Sequence, residues 1–499
     1  MNTRYLKSYA IASAAVAMFV GCQSLPSVGP DYAAPELKEM KYTLPDAGYA
    51  TTNLNANFEY EVAKSNDDCR VRITDDILGQ WWKRFNDPVL EELVASAVTN
   101  NRSYLMAVKR LEAKNFELLG SYAAFLPKFS LGGGWGRYHY NENASSSGVH
   151  NHYQAQQAAL DGNWEIDIFG GSRRNTEAAL ALAEAAGWTV ADAWVSLTTQ
   201  IGENYINLRT TQERLAVART NLALQSETYE ILKSRLESGI GDELAVNQCA
   251  YVVEQTRAAI PTILAQEETL MNAIEILAGT VPGELHGKLK SAEIKRDWLL
   301  APQKVDEIPL DLLRGRPDVK AAERALAAQT AYIGVAKAQW FPKLFVSGQV
   351  GLKSSGSVRL FEKDSFFATL GPAVSWPIFQ GGAIYANVKA TEAKMDEAAI
   401  GYQLAVESAY GEIRNAYSAY SQEYHRYQAL TSAVKAATDA VAISQDLYRN
   451  GLKDFNNVLD AQRSRLQLEE AHVISRGQIT LKLIQLYRSL GGGLAANEK

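Results

Sequence analysis

The 499-residue sequence predicts a mainly α-helical fold with a β-sheet portion, built as a tandem duplication, and two observations carry that prediction. The first is a shared design in two stretches, Asp161 to Gly171 (DGNWEIDIFGG) and Leu370 to Gly382 (LGPAVSWPIFQGG). Each carries a Trp, runs through Ile-Phe into a Gly-containing break and opens a long Ala-rich pattern of helical period. The second is constant spacing: Tyr205 and Tyr417, Gly239 and Gly451, and Gly279 and Gly491 are each 212 positions apart. Three landmarks at one offset indicate a duplicated unit of helix, hairpin, long helix and return helix.

The N-terminus reads as an export signal. Arg4 and Lys7 precede an apolar stretch from Ala10 to Val20 that is too short to span a bilayer, so residues 1–21 form a leader. The leader ends in Phe19-Val20-Gly21-Cys22, which resembles the lipobox of bacterial lipoproteins and makes Cys22 the candidate lipidation site. A plain signal peptide with a chance Cys is the alternative. Gln23 stands where an Asp typically retains lipoproteins in the inner membrane, so the implied address is the outer membrane. Residues 22–86 are poor in periodicity and read as an extended arm, docking through Tyr32, Pro35, Trp81 and Trp82.

The first repeat, residues 87–299, opens with Asp87 as cap and Pro88 at the first turn of a helix whose apolar stripe is Leu90, Leu93, Val94 and Ala97. The pattern resumes after Asn100-Asn101 and stops at Pro127. From there to Phe169 the period drops to two, as it does in the second copy, where Leu344, Val346, Val350 and Leu352 alternate with Lys343, Ser347, Gln349 and Lys353. Pro372 and Pro377, placed in the fourth strand, require an edge or a bulge. The proline-free stretches that follow reach Ser238 and Asn450, and each is about 100 Å long if continuous at 1.5 Å per residue. Gly239 and Gly451 supply caps, and return helices run from about Leu244 to Ala278, where Pro261 is a candidate kink, and from about Asn457 to Leu490. Residues 300–316 are a linker, 317–492 the second repeat and 493–499 a tail.

Four strands cannot close a barrel, and open edges are intolerable in lipid because every backbone donor there needs a partner. The exits are a small soluble sheet or self-assembly, in which three chains of four strands would close a twelve-stranded barrel that the long helices continue as a tube. A net charge of −6, or −8 once Arg4 and Lys7 leave with the leader, excludes a basic nucleic-acid footprint. No nucleophile elbow, P-loop or HExxH motif occurs, so the reading is not an enzyme and carries no cofactor beyond the lipid on Cys22. His150 and His152 leave a zinc site two ligands short and read as loop residues. Gly132-Gly133-Gly134 lies in a strand, where it gives room to a neighbour rather than cradling a phosphate. Cys69 and Cys249 could pair only if their Cα atoms approached within roughly 7 Å.

These pieces resemble TolC-family outer-membrane efflux proteins, in the lipoprotein (NodT-like) branch associated with resistance-nodulation-division pumps. The resemblance rests on Cys22, Pro127 and Pro342 at helix-to-strand joins, Trp164 to Gly170, Ile308-Pro309-Leu310 with Leu313, Arg316-Pro317-Asp318-Val319, Ala336 with Phe341-Pro342, and Leu459-Asp460-Ala461-Gln462-Arg463 with Leu490-Gly491-Gly492. It covers nearly the whole mature chain. It implies a homotrimeric exit duct, a twelve-stranded outer-membrane β-barrel continued by a long periplasmic α-helical barrel, that engages a periplasmic adaptor and an inner-membrane pump. By position in the family pattern, Tyr448, Lys453 and Asp460 match a Tyr, a basic group and an acidic ring that hold the closed periplasmic tip. Asp454 belongs to the same turn, and Asn457 replaces a second acid found in some members. Ala245 stands where members commonly carry an acid, leaving Asp242 or Glu243 as substitutes. Ordinary helix capping predicts acidic residues at these positions too. The competing readings are a duct for type I secretion or metal efflux, and a lipid-anchored periplasmic coiled-coil scaffold, which would have no need of two hairpins with an apolar stripe.

Overall fold

The computed structural model describes residues 27–35, 80–139, 152–291, 310–355 and 359–492. Cys22 and its leader, most of the arm including Cys69, the loop with His150, residues 292–309 and the tail lie outside them, while the described end of the predicted 300–316 linker holds a short helix, Leu310–Gly315. The helices are α1 (Pro88–Asn100), α2 (Arg102–Tyr122), α3 (Gly171–Glu237), α4 (Glu243–Ala278), α5 (His286–Ser291), α6 (Leu310–Gly315), α7 (Pro317–Ala338), α8 (Ala383–Arg449) and α9 (Phe455–Ser489). The strands are β1 (Lys128–His139), β2 (His152–Ile166), β3 (Lys343–Ser355) and β4 (Phe366–Ser375). Both long helices, α3 and α8, have 67 residues. Helix α4 runs through Pro261 as one helical segment.

Contacts divide the chain into two compact units that cut across the repeats. The first unit gathers the N-terminal segment with Arg110–Gly187 and Ala321–Gln403, and so holds all four strands with the helix ends that feed them. Its sheet is antiparallel in the order β1-β2-β3-β4, so β1 and β4 are its edges. The register sorts the two faces. Leu131, Leu160, Val350 and Ala368 align across one face, and Ser130, Asp161, Gln349 and Thr369 across the other. On the polar face Gln349 Nε2 donates to Asp161 Oδ1 at 2.5 Å and Ser347 Oγ to Asn163 Oδ1 at 3.1 Å.

Both hairpins are tied to their incoming helices by the same bond. The Trp164 indole N–H donates to the Phe125 carbonyl at 3.0 Å, and the Trp376 indole to the Trp340 carbonyl at 3.1 Å, in each case two residues before the joining proline. Pro372 lies opposite Val346 in β4, an edge strand of the single chain's sheet, which is where a strand proline is expected. Pro377 lies outside the strand, which ends at Ser375, and β2 ends at Ile166 before the Phe169 ring, which stacks on Phe341 at 4.7 Å. Ser27–Pro35 docks on this unit: Val28 N–H donates to the Phe169 carbonyl at 3.1 Å, Asp31 pairs with Arg174, and Tyr32 Oη donates to Glu323 at 3.1 Å. Burial and the adjacent Glu323 carboxylate push the Tyr32 phenol up to about 12.

The second unit holds α1, α4, α9 and the remaining lengths of α3 and α8. Trp81, Trp82 and Phe85 are buried in a short 3₁₀ turn before α1, Trp81 edge-on to both neighbours and stacked on Tyr487. Asp87 caps α1 by accepting from the N–H groups of Val89 and Leu90, and its second oxygen accepts from Tyr205 Oη at 2.7 Å. Arg209 donates to the same phenol at 3.0 Å and to the Leu289 carbonyl at 2.9 Å, so the first landmark tyrosine anchors a buried polar chain.

The repeat closes in the same way twice. Asn101, the residue before α2, donates to the Leu277 carbonyl at 2.9 Å, and Arg316, the residue before α7, donates to the Ser489 carbonyl at 2.6 Å. Each ties the end of a return helix to the start of a strand-feeding helix.

Candidate functional site

The two hairpin turns, α3 to α4 and α8 to α9, meet within the second unit. Each long helix ends in the same way because each supplies a glycine with positive φ, 75° at Gly239 and 72° at Gly451. Gly239 N–H returns to the Leu236 carbonyl and Ile240 N–H to Arg235. Gly451 N–H returns likewise to Tyr448, and Leu452 N–H to Leu447. This pair of bonds satisfies carbonyls that the helix end leaves open. The residue after each glycine usually folds back on its own helix, yet Ile240 is 73% and Leu452 67% exposed.

Between the turns lies one apolar cluster. It contains Leu232 from α3, Ala245, Val246, Cys249 and Val252 from α4, and Phe455, Val458 and Leu459 from α9, with Tyr229, Leu236 and Tyr448 packed against it. Ala245 is buried here, so an acid at this position would face apolar neighbours without a partner. That accounts physically for its absence. Asp242 is committed to capping α4, accepting from Leu244 N–H at 3.0 Å, while Glu243 is exposed in the first turn. Cys249 is 1% exposed, and burial pushes its thiol up to about 11. The thiol is free, its sulfur 3.8 Å from the Gln225 carbonyl.

The sequence-predicted residues separate into groups. Tyr448 is half-buried, its ring 5.2 Å from Phe455 and beneath the Arg235 guanidinium at 5.7 Å. Lys453 and Asp454 are exposed. Asp454 holds the capping position without a side-chain cap bond. Its backbone carbonyl accepts from Asn457 N–H and Asn457 Nδ2, both at 3.2 Å. Asp460 is exposed but not alone, standing 3.6 Å from Arg463. Arg463 in turn lies over the Tyr251 ring at 4.9 Å. The reading from the sequence missed Arg235, Tyr251 and Phe455. The offset of 212 contained one signal, since Tyr251 and Arg463 occupy equivalent positions in the two repeats.

Chemically, the turns offer a small apolar interface between two hairpins, rimmed by guanidinium–ring contacts and exposed charges. Among the described residues no cluster of His, Cys, Asp and Glu could hold a metal. Such an interface can hold or release a hairpin.

A family model described as outer membrane efflux protein matches residues 93–280 and 308–492. Nodulation protein T of Rhizobium leguminosarum bv. viciae is 28% identical over 499 residues, covering 98% of this chain and 95% of that protein. Outer membrane protein OprJ of Pseudomonas aeruginosa is 28% identical over 420 residues, covering 83% of this chain and 86% of its own length. Among solved structures, the outer-membrane channel OprN aligns with a TM-score of 0.79 at 30% identity, covering 93% of this chain and 99% of that one. The chain therefore belongs to the outer membrane efflux protein family and is an outer-membrane efflux channel.

Proposed function

We propose that three copies assemble into a passive exit duct for small molecules, supplied by an inner-membrane pump of the resistance-nodulation-division type through a periplasmic adaptor. The carrying observation is the four-stranded sheet with two open edges and an apolar face. On β1, Phe129, Leu131 and Trp135 share that face, and on β4, Phe366, Leu370 and Val374; all six are exposed in the single chain, Leu131 and Leu370 at 82% each. An apolar outer row suits lipid, but unpaired edges do not, since each unsatisfied backbone group in hydrocarbon costs several kcal/mol. Pairing of β1 with the β4 of another copy removes every edge at three copies. The helices that serve those edges also expose apolar side chains, Phe116 and Leu119 on α2 and Tyr385 and Ile400 on α8, which supports the same contact.

A lipid on Cys22 fits this placement. Cys22 is six links from Val28, so the anchor lies at most about 22 Å from the point where Val28 meets Phe169 and β2 gives way to α3. The duct performs no chemistry: its work is a polar path and a gate. The gate is assigned to the hairpin turns, with Tyr448, Lys453 and Asp460 beside it and the exposed Ile240 and Leu452 available to an adaptor. The test is complementation. Expressed with its cognate adaptor and pump in a strain lacking its own exit duct, the chain should restore efflux of a fluorescent pump substrate. Restored export of a secreted protein or of a metal ion instead would favour the other duct readings.

A further inference from the structure

We infer that Arg137, with Trp135 and Gln154 beside it, binds a phosphate-bearing glycolipid of the outer leaflet on the apolar, lipid-facing side of the sheet.

That face is a band with sharp ends. Alternate residues on it, Phe129 to Trp135 on β1, Ala158 to Ile166 on β2, Leu344 to Leu352 on β3 and Phe366 to Val374 on β4, are all apolar or glycine. From Leu344 to Ser354 is about 34 Å along the strand at about 3.4 Å per residue, or about 26 Å of height at a tilt of roughly 40°, which matches the apolar band of a membrane barrel. Trp376, 59% exposed, closes the band at the end where the helices leave, and Trp135, 67% exposed, closes it at the other. Such aromatic girdles lie at headgroup level. Helices that extend into the periplasm put the Trp135 end in the outer leaflet.

The first polar residues of this face, Gln156 and Ser354, align with Trp135, and the next row is Arg137 opposite Gln154. Arg137 is exposed, and among the described residues it has no hydrogen-bonding or ionic partner. The strands cannot neutralise it, because their two carboxylates stand on the opposite face, Asp161 accepting from Gln349 and Glu165 paired with Lys343 at 2.9 Å. Glu362 and Asp364 precede β4, at the far edge of the sheet. A guanidinium at headgroup depth without a protein counter-ion attracts a lipid anion, and its planar fork fits a phosphate through two parallel bonds. The Gln154 amide adds a donor across the strand pair, and Trp135, one row deeper, offers an apolar ring with a polar N–H. A sugar phosphate carried on acyl chains, the headgroup of the outer-leaflet glycolipid, suits all three.

The inference rests on the barrel reading, and native mass spectrometry in detergent separates the two. Lipid A, the same lipid freed of its phosphates, and phosphatidylglycerol are added in turn to the full-length protein. Wild type should retain lipid A, up to three per three-chain particle, and hold the other two more weakly. Arg137→Gln should lower the bound fraction about fivefold, the effect of one cation beside an anionic membrane surface, and Arg137→Lys should keep most of it. Lys353→Gln removes a cation at nearly the same height on the polar face and should leave retention at the wild-type value. Lipid A held at wild-type level by Arg137→Gln overturns the site, as does an equal loss in Lys353→Gln or equal retention of the dephosphorylated lipid. Phosphatidylglycerol held as tightly as lipid A and released by Arg137→Gln overturns the choice of glycolipid. Arg137→Gln particles that shed chains while the rest keep their lipid also overturn it, since Arg137 then serves a second copy. Three wild-type chains that retain no lipid A sink the site alone, whereas a one-chain particle sinks the barrel reading and the site with it.

Discussion

Arg316→Ala should loosen the end of the second repeat about threefold more than Asn101→Ala loosens the first, although the two residues do the same job. The Arg316 guanidinium is buried and makes a charge-assisted bond of 2.6 Å to the Ser489 carbonyl, worth about 1.5–3 kcal/mol. It also contacts Asp318 at 2.8 Å and Glu412 at 2.7 Å, but these carboxylates are 39% and 60% exposed, so each adds only about 0.5 kcal/mol. The sum is about 3 kcal/mol. Asn101 donates one neutral bond of 2.9 Å to Leu277, and its Oδ1 caps α2 by accepting from Tyr104 N–H at 2.9 Å, which together come to about 2 kcal/mol. Hydrogen exchange read by mass spectrometry checks this locally. Arg316→Ala should speed exchange at Leu490, Gly491 and Gly492 by about a hundredfold and Asn101→Ala at Gly279 and Thr280 by about thirtyfold, provided local opening governs exchange there. Arg316→Lys should fall between, since an ammonium cannot serve the carbonyl and both carboxylates in one plane. Changes below about threefold at Gly491 in Arg316→Ala would refute the claim that this residue closes the repeat.

Cys22→Ala should abolish metabolic labelling with palmitate while trimers still form, and retained labelling would rule out lipidation at Cys22. Asp460→Ala should weaken block by divalent cations applied from the periplasmic side, by only a few-fold because Arg463 already stands 3.6 Å from the carboxylate; block at wild-type strength would move the cation site elsewhere. The buried Cys249 thiol gives a pH test. The folded state keeps this proton up to about 11, whereas the unfolded chain releases it near 9.0, so folded protein binds more protons between those values. Stability should therefore fall as pH rises through that window, and Cys249→Ser should flatten the fall. An equally steep alkaline decline in the variant would remove Cys249 as its source.

Much of the fold was legible because local chemistry decides it. Asp87-Pro88 starts a helix wherever it occurs before an apolar stripe, and Gly239 and Gly451 end helices because only glycine takes positive φ at little cost. Alternation marked the strands for the same reason, since the period of two is a property of the backbone. Partners were a different matter. The bonds from Trp164 to Phe125 and from Trp376 to Trp340 and the shared task of Asn101 and Arg316 depend on which segments meet in space. No pattern within one segment states that. At the candidate site the polar residues of the second turn were found by their spacing from Gly451, but Arg235 lies more than two hundred residues away from the ring it covers. Ala245 was legible only as a departure. Its burial in the apolar cluster supplies the reason.

The central claim is that the four-stranded sheet closes only across three chains, and native mass spectrometry of detergent-solubilised protein tests it most directly. The expected particle contains three copies of the chain and stays at that stoichiometry after Cys22→Ala, because the strand edges hold it and the lipid does not. A folded, membrane-inserted particle of one chain would contradict the account, since β1 and β4 would then stand unpaired in lipid.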